Sequence, residues 1–74
     1  MIITKSEQWD IVRKAWAYKR RAKFTSDIAE KIEVLKFARD EYLDAARGPC
    51  PTYYQKLAQE LGVTIANLAK AQTN

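Results

Sequence analysis

Six of the chain's thirteen basic residues, Arg13, Lys14, Lys19, Arg20, Arg21 and Lys23, crowd into the eleven positions 13–23, and no carboxylate interrupts them. The chemistry open to such a run is anion binding. Lysine and arginine held against a polyanion release its condensed counterions, and an arginine can bond two phosphate oxygens at once. Nucleic-acid phosphate is the most abundant candidate, so these six residues form the expected nucleic-acid-binding set. A helix face that pairs with acids elsewhere in the fold would carry the same run, and both readings stay open at this point.

Other chemistry has few residues to work with. The chain contains no histidine, which removes the commonest general base and metal ligand. Its single cysteine, Cys50, stands between Pro49 and Pro51, has no cysteine to pair with, and reads as a small residue in a helix connection. The nine carboxylates are spread along helical faces without metal-ligand spacing. The expectation is therefore a protein that is not an enzyme, with no catalytic residue, no metal and no cofactor.

The elements that present the basic run follow from cap signals and apolar spacing. Thr4 and Glu7 have capping-box spacing, which predicts a helix over about 5–24 with Trp9, Ile11, Val12, Ala15, Trp16, Tyr18 and Ala22 on one half of its circumference. Gln8, Lys19 and Lys23 interrupt that face. Asp27 and Glu30 repeat the spacing and predict a second helix, placed at 26–47. Its main apolar stripe is Ile28, Ile32, Leu35, Tyr42, Leu43 and Ala46, with Val34, Phe37, Ala38 and Ala45 on the flank. Arg39 falls inside that stripe, where its stem can lie along the core while the guanidinium reaches water. Gly48 offers a left-handed cap, and Pro49 and Pro51 forbid continuation. Thr52 then caps a helix over 52–61, Gly62 ends it, and Thr64 caps a short fourth helix over 64–72, the two folding back around Gly62 so that Leu57, Leu61, Val63, Ile65 and Leu68 cluster. The expected fold is all-α: one domain over 1–74, a compact bundle of three helices plus a short fourth C-terminal helix.

The stretch Lys56-Leu57-Ala58-Gln59-Glu60-Leu61-Gly62-Val63-Thr64, followed by Leu68, resembles the helix-turn-helix domains of the phage repressor and Cro type, over residues 51–73. The resemblance implies that Gly62 sits in the turn and that the second helix enters a major groove. Base edges would then be read from Thr64, Ala66, Asn67 and Lys70, with Asn67 and Lys70 the useful donors. The same residues also resemble the late, core-forming helix pair of those domains, which does not touch bases.

Aromatic residues support a different kind of contact. Trp9 and Trp16 are expected to pack on helix 2, whereas Tyr53 and Tyr54 are adjacent and cannot both point inward, which makes them protein-interface candidates. The sequence thus points to a small non-enzymatic regulator that binds nucleic acid through its basic N-terminal helix. The alternative is a protein-binding inhibitor or adaptor of the kind phages and mobile elements make, acting on a host protein. A chain of 74 residues buries a small core, so a homodimer is a further expectation. No apolar run approaches the roughly 18 residues a membrane span needs, and no basic leader precedes an apolar stretch, so the expected setting is the cytoplasm, with no membrane partner.

Overall fold

The computed structural model describes residues 2–73, the side chain of Thr73 excepted, so both ends of the expected 1–74 domain lie outside the described residues. Among the described residues there are three helices and no strand: α1 (Lys5–Phe24), α2 (Ile28–Ala45) and α3 (Pro51–Thr73). The box that opens α1 forms in both directions, the Glu7 N–H donating to Thr4 Oγ1 at 3.2 Å and the Thr4 N–H to Glu7 Oε1 at 3.1 Å. At α2 only half of the expected box is made. Asp27 Oδ1 accepts from the N–H groups of Ala29 at 3.0 Å and Glu30 at 3.4 Å, while the Glu30 carboxylate turns instead to Arg21. Helix 2 therefore begins at Ile28, two residues inside the expected start.

Helix 2 ends at Ala45, short of the expected 47, because its last turn tightens: the Arg47 N–H donates to Asp44 O and the Gly48 N–H to Ala45 O, each at 3.1 Å. The left-handed residue of the connection is Cys50, with φ 57°, and not Gly48. Gly48 is needed for space. A Cβ there would stand 3.0 Å from Gln8 Nε2 and 3.0 Å from Ile3 Cγ1. Those atoms crowd in because Gln8 reaches from α1 across the connection and donates to Ala45 O at 2.8 Å and Pro49 O at 2.6 Å. One α1 side chain thus gives the Ala45 carbonyl a second donor beside the Gly48 N–H and supplies a donor to the Pro49 carbonyl of the connection. Ile3, whose N–H donates to Arg47 O at 3.3 Å, is buried beside it.

The corner expected at Gly62 is absent, and with it the separate fourth helix: α3 runs unbroken from Pro51 to Thr73. Thr64 caps nothing, its hydroxyl donating to Glu60 O one turn back at 3.2 Å. Val63, expected inside the corner, is 58% exposed. The physical reason is the apolar spacing. Tyr54, Leu57, Ala58, Leu61, Ile65 and Leu68 keep one helical stripe across Gly62, and a glycine in mid-helix costs only about 1 kcal/mol, less than burying Leu61 and Ile65 returns. Thr52 also lies within α3, since Pro51 takes the first helical position, which its missing N–H suits.

The core lies along α2. Ile32, Leu35, Ala38 and Tyr42 meet Ala15 and Ala22 from α1 and Ala58, Leu61 and Ile65 from α3. Both outer helices pack on α2, but among the described residues no α-carbon of α1 comes within 8 Å of one of α3. A groove floored by α2 is left between them, on a molecule of 42 × 19 × 15 Å.

Candidate nucleic-acid interface

The groove wall on α1 is set by spacing. Alanines 15 and 22, with Gln8 and Val12, take the buried side against α2. The neighbouring line Lys5, Trp9, Trp16, Lys19 and Lys23, stepping by turns or double turns, must then border the groove. On α3 the corresponding line is Tyr53, Leu57, Glu60, Thr64 and Leu68. Two hollows occupy the groove. One, of about 470 Å³, lies at the proline-corner end among Lys5, Gln8, Trp9, Pro49, Cys50, Tyr53 and Tyr54. The other, of about 440 Å³, has Leu35, Leu57, Leu61 and Leu68 around it together with the ammonium stems of Lys19, Lys23 and Lys31 and the single carboxylate of Glu60.

Tyr42 of α2, itself buried, touches one residue from the border of each hollow. Its ring lies 6.3 Å from that of Tyr54 in a stacked pair, and Lys19 Nζ sits 5.8 Å above its centroid, within cation–π reach. Burial pushes the Tyr42 phenol above its usual pKa, and the Trp16 indole N–H donated to its oxygen draws it back partway. Tyr54 is raised as well, by burial first and then by neighbouring Tyr53. Trp9 and Trp16 meet edge to face with centroids 5.5 Å apart, and Tyr53 and Tyr54 do the same at 5.1 Å. The tryptophans were expected to pack on helix 2. They stand half out of the core instead, Trp9 47% and Trp16 50% exposed, because the alanines on the adjacent line hold that packing position.

The six basic residues of α1 divide between two sides of that helix. Lys19 and Lys23 enter the groove, Arg13 and Arg20 are exposed on its rim next to the tryptophan line, and Lys14 and Arg21 lie on the far flank. Pairing between α1 and the acids of α2 is confined to one exposed contact, Arg21 Nη2 to Glu30 Oε1 at 3.5 Å. Arg13, Lys14, Arg20 and Lys23 take part in no ion pair among the described residues. The reason is rotational: Glu30, Glu33, Asp40, Glu41 and Asp44 fall about 150° round α2 from its groove floor of Lys31, Leu35 and Tyr42 at about 100° per residue. The molecule is basic on its groove side and acidic on its back. Arg39 behaves as its stripe position suggests, half-buried with Nη2 3.3 Å from Asp40 Oδ1.

Asn67 and Lys70 are both exposed on α3 and open no second helix, so the structure does not bring them to a helix N-terminus. Tyr53 is 60% exposed and Tyr54 half-buried, which divides the adjacent pair into a visible and a packed ring. Lys5 and Lys31 were not among the sequence-derived candidates. Lys5 precedes Trp9 by one turn and Lys31 precedes Leu35 by one turn, so each extends an aromatic or apolar line that was legible in the spacing. Among the described residues no group of three Cys, Asp or Glu is placed to hold a metal ion, and no helix is long and apolar enough to cross a membrane. No protein-family model, curated protein or solved structure matches the chain.

Proposed function

We propose that this protein is a small non-enzymatic regulator that binds nucleic acid through phosphate contacts of α1. Lys19, Lys23, Arg13 and Arg20 carry the contact, Lys5 and Lys31 extend it, and Lys14 and Arg21 lie at its edge. The observation that supports this reading best is the separation of charge: the α1 cations are left almost wholly without carboxylate partners while the acids of α2 face the other way. A positive face of this kind binds phosphate and steers its approach. Asn67 and Lys70 would add a secondary contact from α3. The helix-turn-helix resemblance adds no geometry to this reading, because residues 51–73 form one helix.

The test is a salt titration of the purified protein against labelled nucleic acid from about 50 to about 200 mM salt, with two double variants. Arg20→Ala/Lys23→Ala on the groove side should weaken binding across all sequences and flatten the salt slope, each lost phosphate contact lowering it by roughly 0.7 to 0.9. Lys14→Ala/Arg21→Ala should cost less. Absence of binding at the low-salt end would sink the reading. A protein-binding inhibitor or adaptor is the second reading, favoured by the exposed ring of Tyr53 beside two half-exposed tryptophans. It predicts a complex that depends on the rings and resists salt.

A further inference from the structure

We infer that the groove between α1 and α3 is a track for single-stranded nucleic acid, with bases stacked on Trp9, Trp16 and Tyr53 and phosphates against Lys19, Lys23 and Lys31. This rests on the phosphate-binding reading above and goes further, since it names the form of nucleic acid and the rings that select it.

Two observations carry it, together with one property of duplexes. Both components of single-strand binding lie along the groove, the rings of Trp9 and Tyr53 with Lys5 around the hollow at the proline corner and the cations Lys19, Lys23 and Lys31 around the other, with Trp16 on the α1 line between them. The rings are presented and braced: Trp16 meets Trp9 edge to face with centroids 5.5 Å apart and Tyr53 meets Tyr54 in the same way at 5.1 Å, yet about half of each tryptophan and more than half of Tyr53 remain open. A face held in place loses little freedom when a base covers it. A duplex keeps its base faces inside the stack, so it can meet Arg13 and Arg20 on the rim but offers nothing to the rings.

The competing occupant is an acidic amphipathic helix, which would also answer the charge of the groove. Such a helix lays an apolar ridge along an apolar wall and keeps its charges at the edges. Here the wall itself is mixed, with Lys5 before Trp9 and Trp16 and with Lys19 and Lys23 after them, and Lys19 lies across the floor on Tyr42. Ammonium groups in the line of contact would have to be desolvated under a helix, whereas a strand brings a phosphate to them at each nucleotide.

The two tryptophans, both in the groove wall, report occupancy directly. An unlabelled oligothymidylate of about twelve nucleotides, within the usual span of such sites, and a duplex of the same length are titrated into the full chain at about 50 mM salt while tryptophan emission is followed. The proposal expects the single strand to quench the emission and to bind roughly ten-fold or more tightly than the duplex. Tyr53→Ala, at an exposed position whose fold is checked by circular dichroism, should weaken single-strand binding roughly ten-fold and leave duplex binding unchanged. Equal binding of both forms without quenching would overturn the track while leaving the phosphate surface standing. If neither form binds, both readings fail; quenching by an acidic helical peptide in that case reassigns the groove to a protein partner.

Discussion

Replacing Gly62 by alanine tests the central feature of the fold, the passage of α3 through a residue whose type signals a stop. In a continuous helix the glycine has a helical backbone, its φ is not positive, and a Cβ built on it meets nothing within 4 Å. Gly62→Ala should then gain the difference in helix propensity and little else, about 0.8 to 1.0 kcal/mol, from the wider freedom that glycine gives the unfolded chain. For a domain of this size that is a rise of roughly 4 to 8 °C in Tm. In a helix-turn-helix corner the same glycine would sit in the left-handed region, where a Cβ costs about 1 to 2 kcal/mol, so the sign reverses. Urea and thermal unfolding followed by far-UV circular dichroism measure the change, with an unaltered urea m-value as the control that both states expose the same surface. A lower midpoint for Gly62→Ala would refute the continuous helix and the absence of the fourth one.

Gln8→Ala removes two hydrogen bonds, leaving the Pro49 carbonyl without the Gln8 donor and the Ala45 carbonyl with the Gly48 N–H alone, so urea unfolding should show a loss of about 1 to 3 kcal/mol, far more than an exposed glutamine would give. Cys50→Asn, at φ 57°, should raise the unfolding free energy by up to about 1 kcal/mol, since asparagine tolerates the left-handed region better; no change or a loss would mean that the thiol makes a contact of its own. The Glu7 carboxyl is held below its ordinary pKa chiefly by the Thr4 backbone N–H and then by the Thr4 side chain. A lowered carboxyl adds stability that is fully present above its unfolded value and is lost as the pH falls through the lowered folded one. The stability gap between wild type and Glu7→Ala should therefore narrow on acidification from about pH 6 to about pH 3, and a gap constant with pH would show that the carboxylate takes no part in the cap.

The helix boundaries that the sequence made legible are those with a local cause. The Thr4–Glu7 box and the prolines at 49 and 51 act on their own backbone, and the structure has α1 beginning at Lys5 and α2 and α3 divided at that corner. Gly62 was misread because a glycine's cost is local while its compensation, the stripe from Leu57 to Leu68 seated on α2, is not. The connection after α2 differs for a similar reason: Cys50 is the left-handed residue, and the demand on Gly48 is for space beside Gln8, a residue far away in sequence. Burial of the tryptophans was expected from their size, whereas α1 approaches α2 on its alanines and leaves the large rings at the edge. The candidate site was half legible. The α1 cations stood out as a run, but the division between groove and flank needs the rotation of each helix about its axis, and the floor needs α2.

The separation of α1 from α3 also shapes how the molecule opens. Each outer helix is held by α2 alone along most of its length, and the bond from Gln8 to Pro49 ties α1 to the connection that leads into α3, at one end of the groove. The arrangement is that of two leaves hinged on one spine and pinned at the bottom. Thermal excursions that part the leaves at the Lys23 and Leu68 end break no backbone contact between them, whereas freeing α2 requires both leaves to let go. Amide hydrogens in the middle of α2 must therefore exchange through the highest opening free energy in the chain, with protection falling outward along α1 and α3 toward the unpinned end.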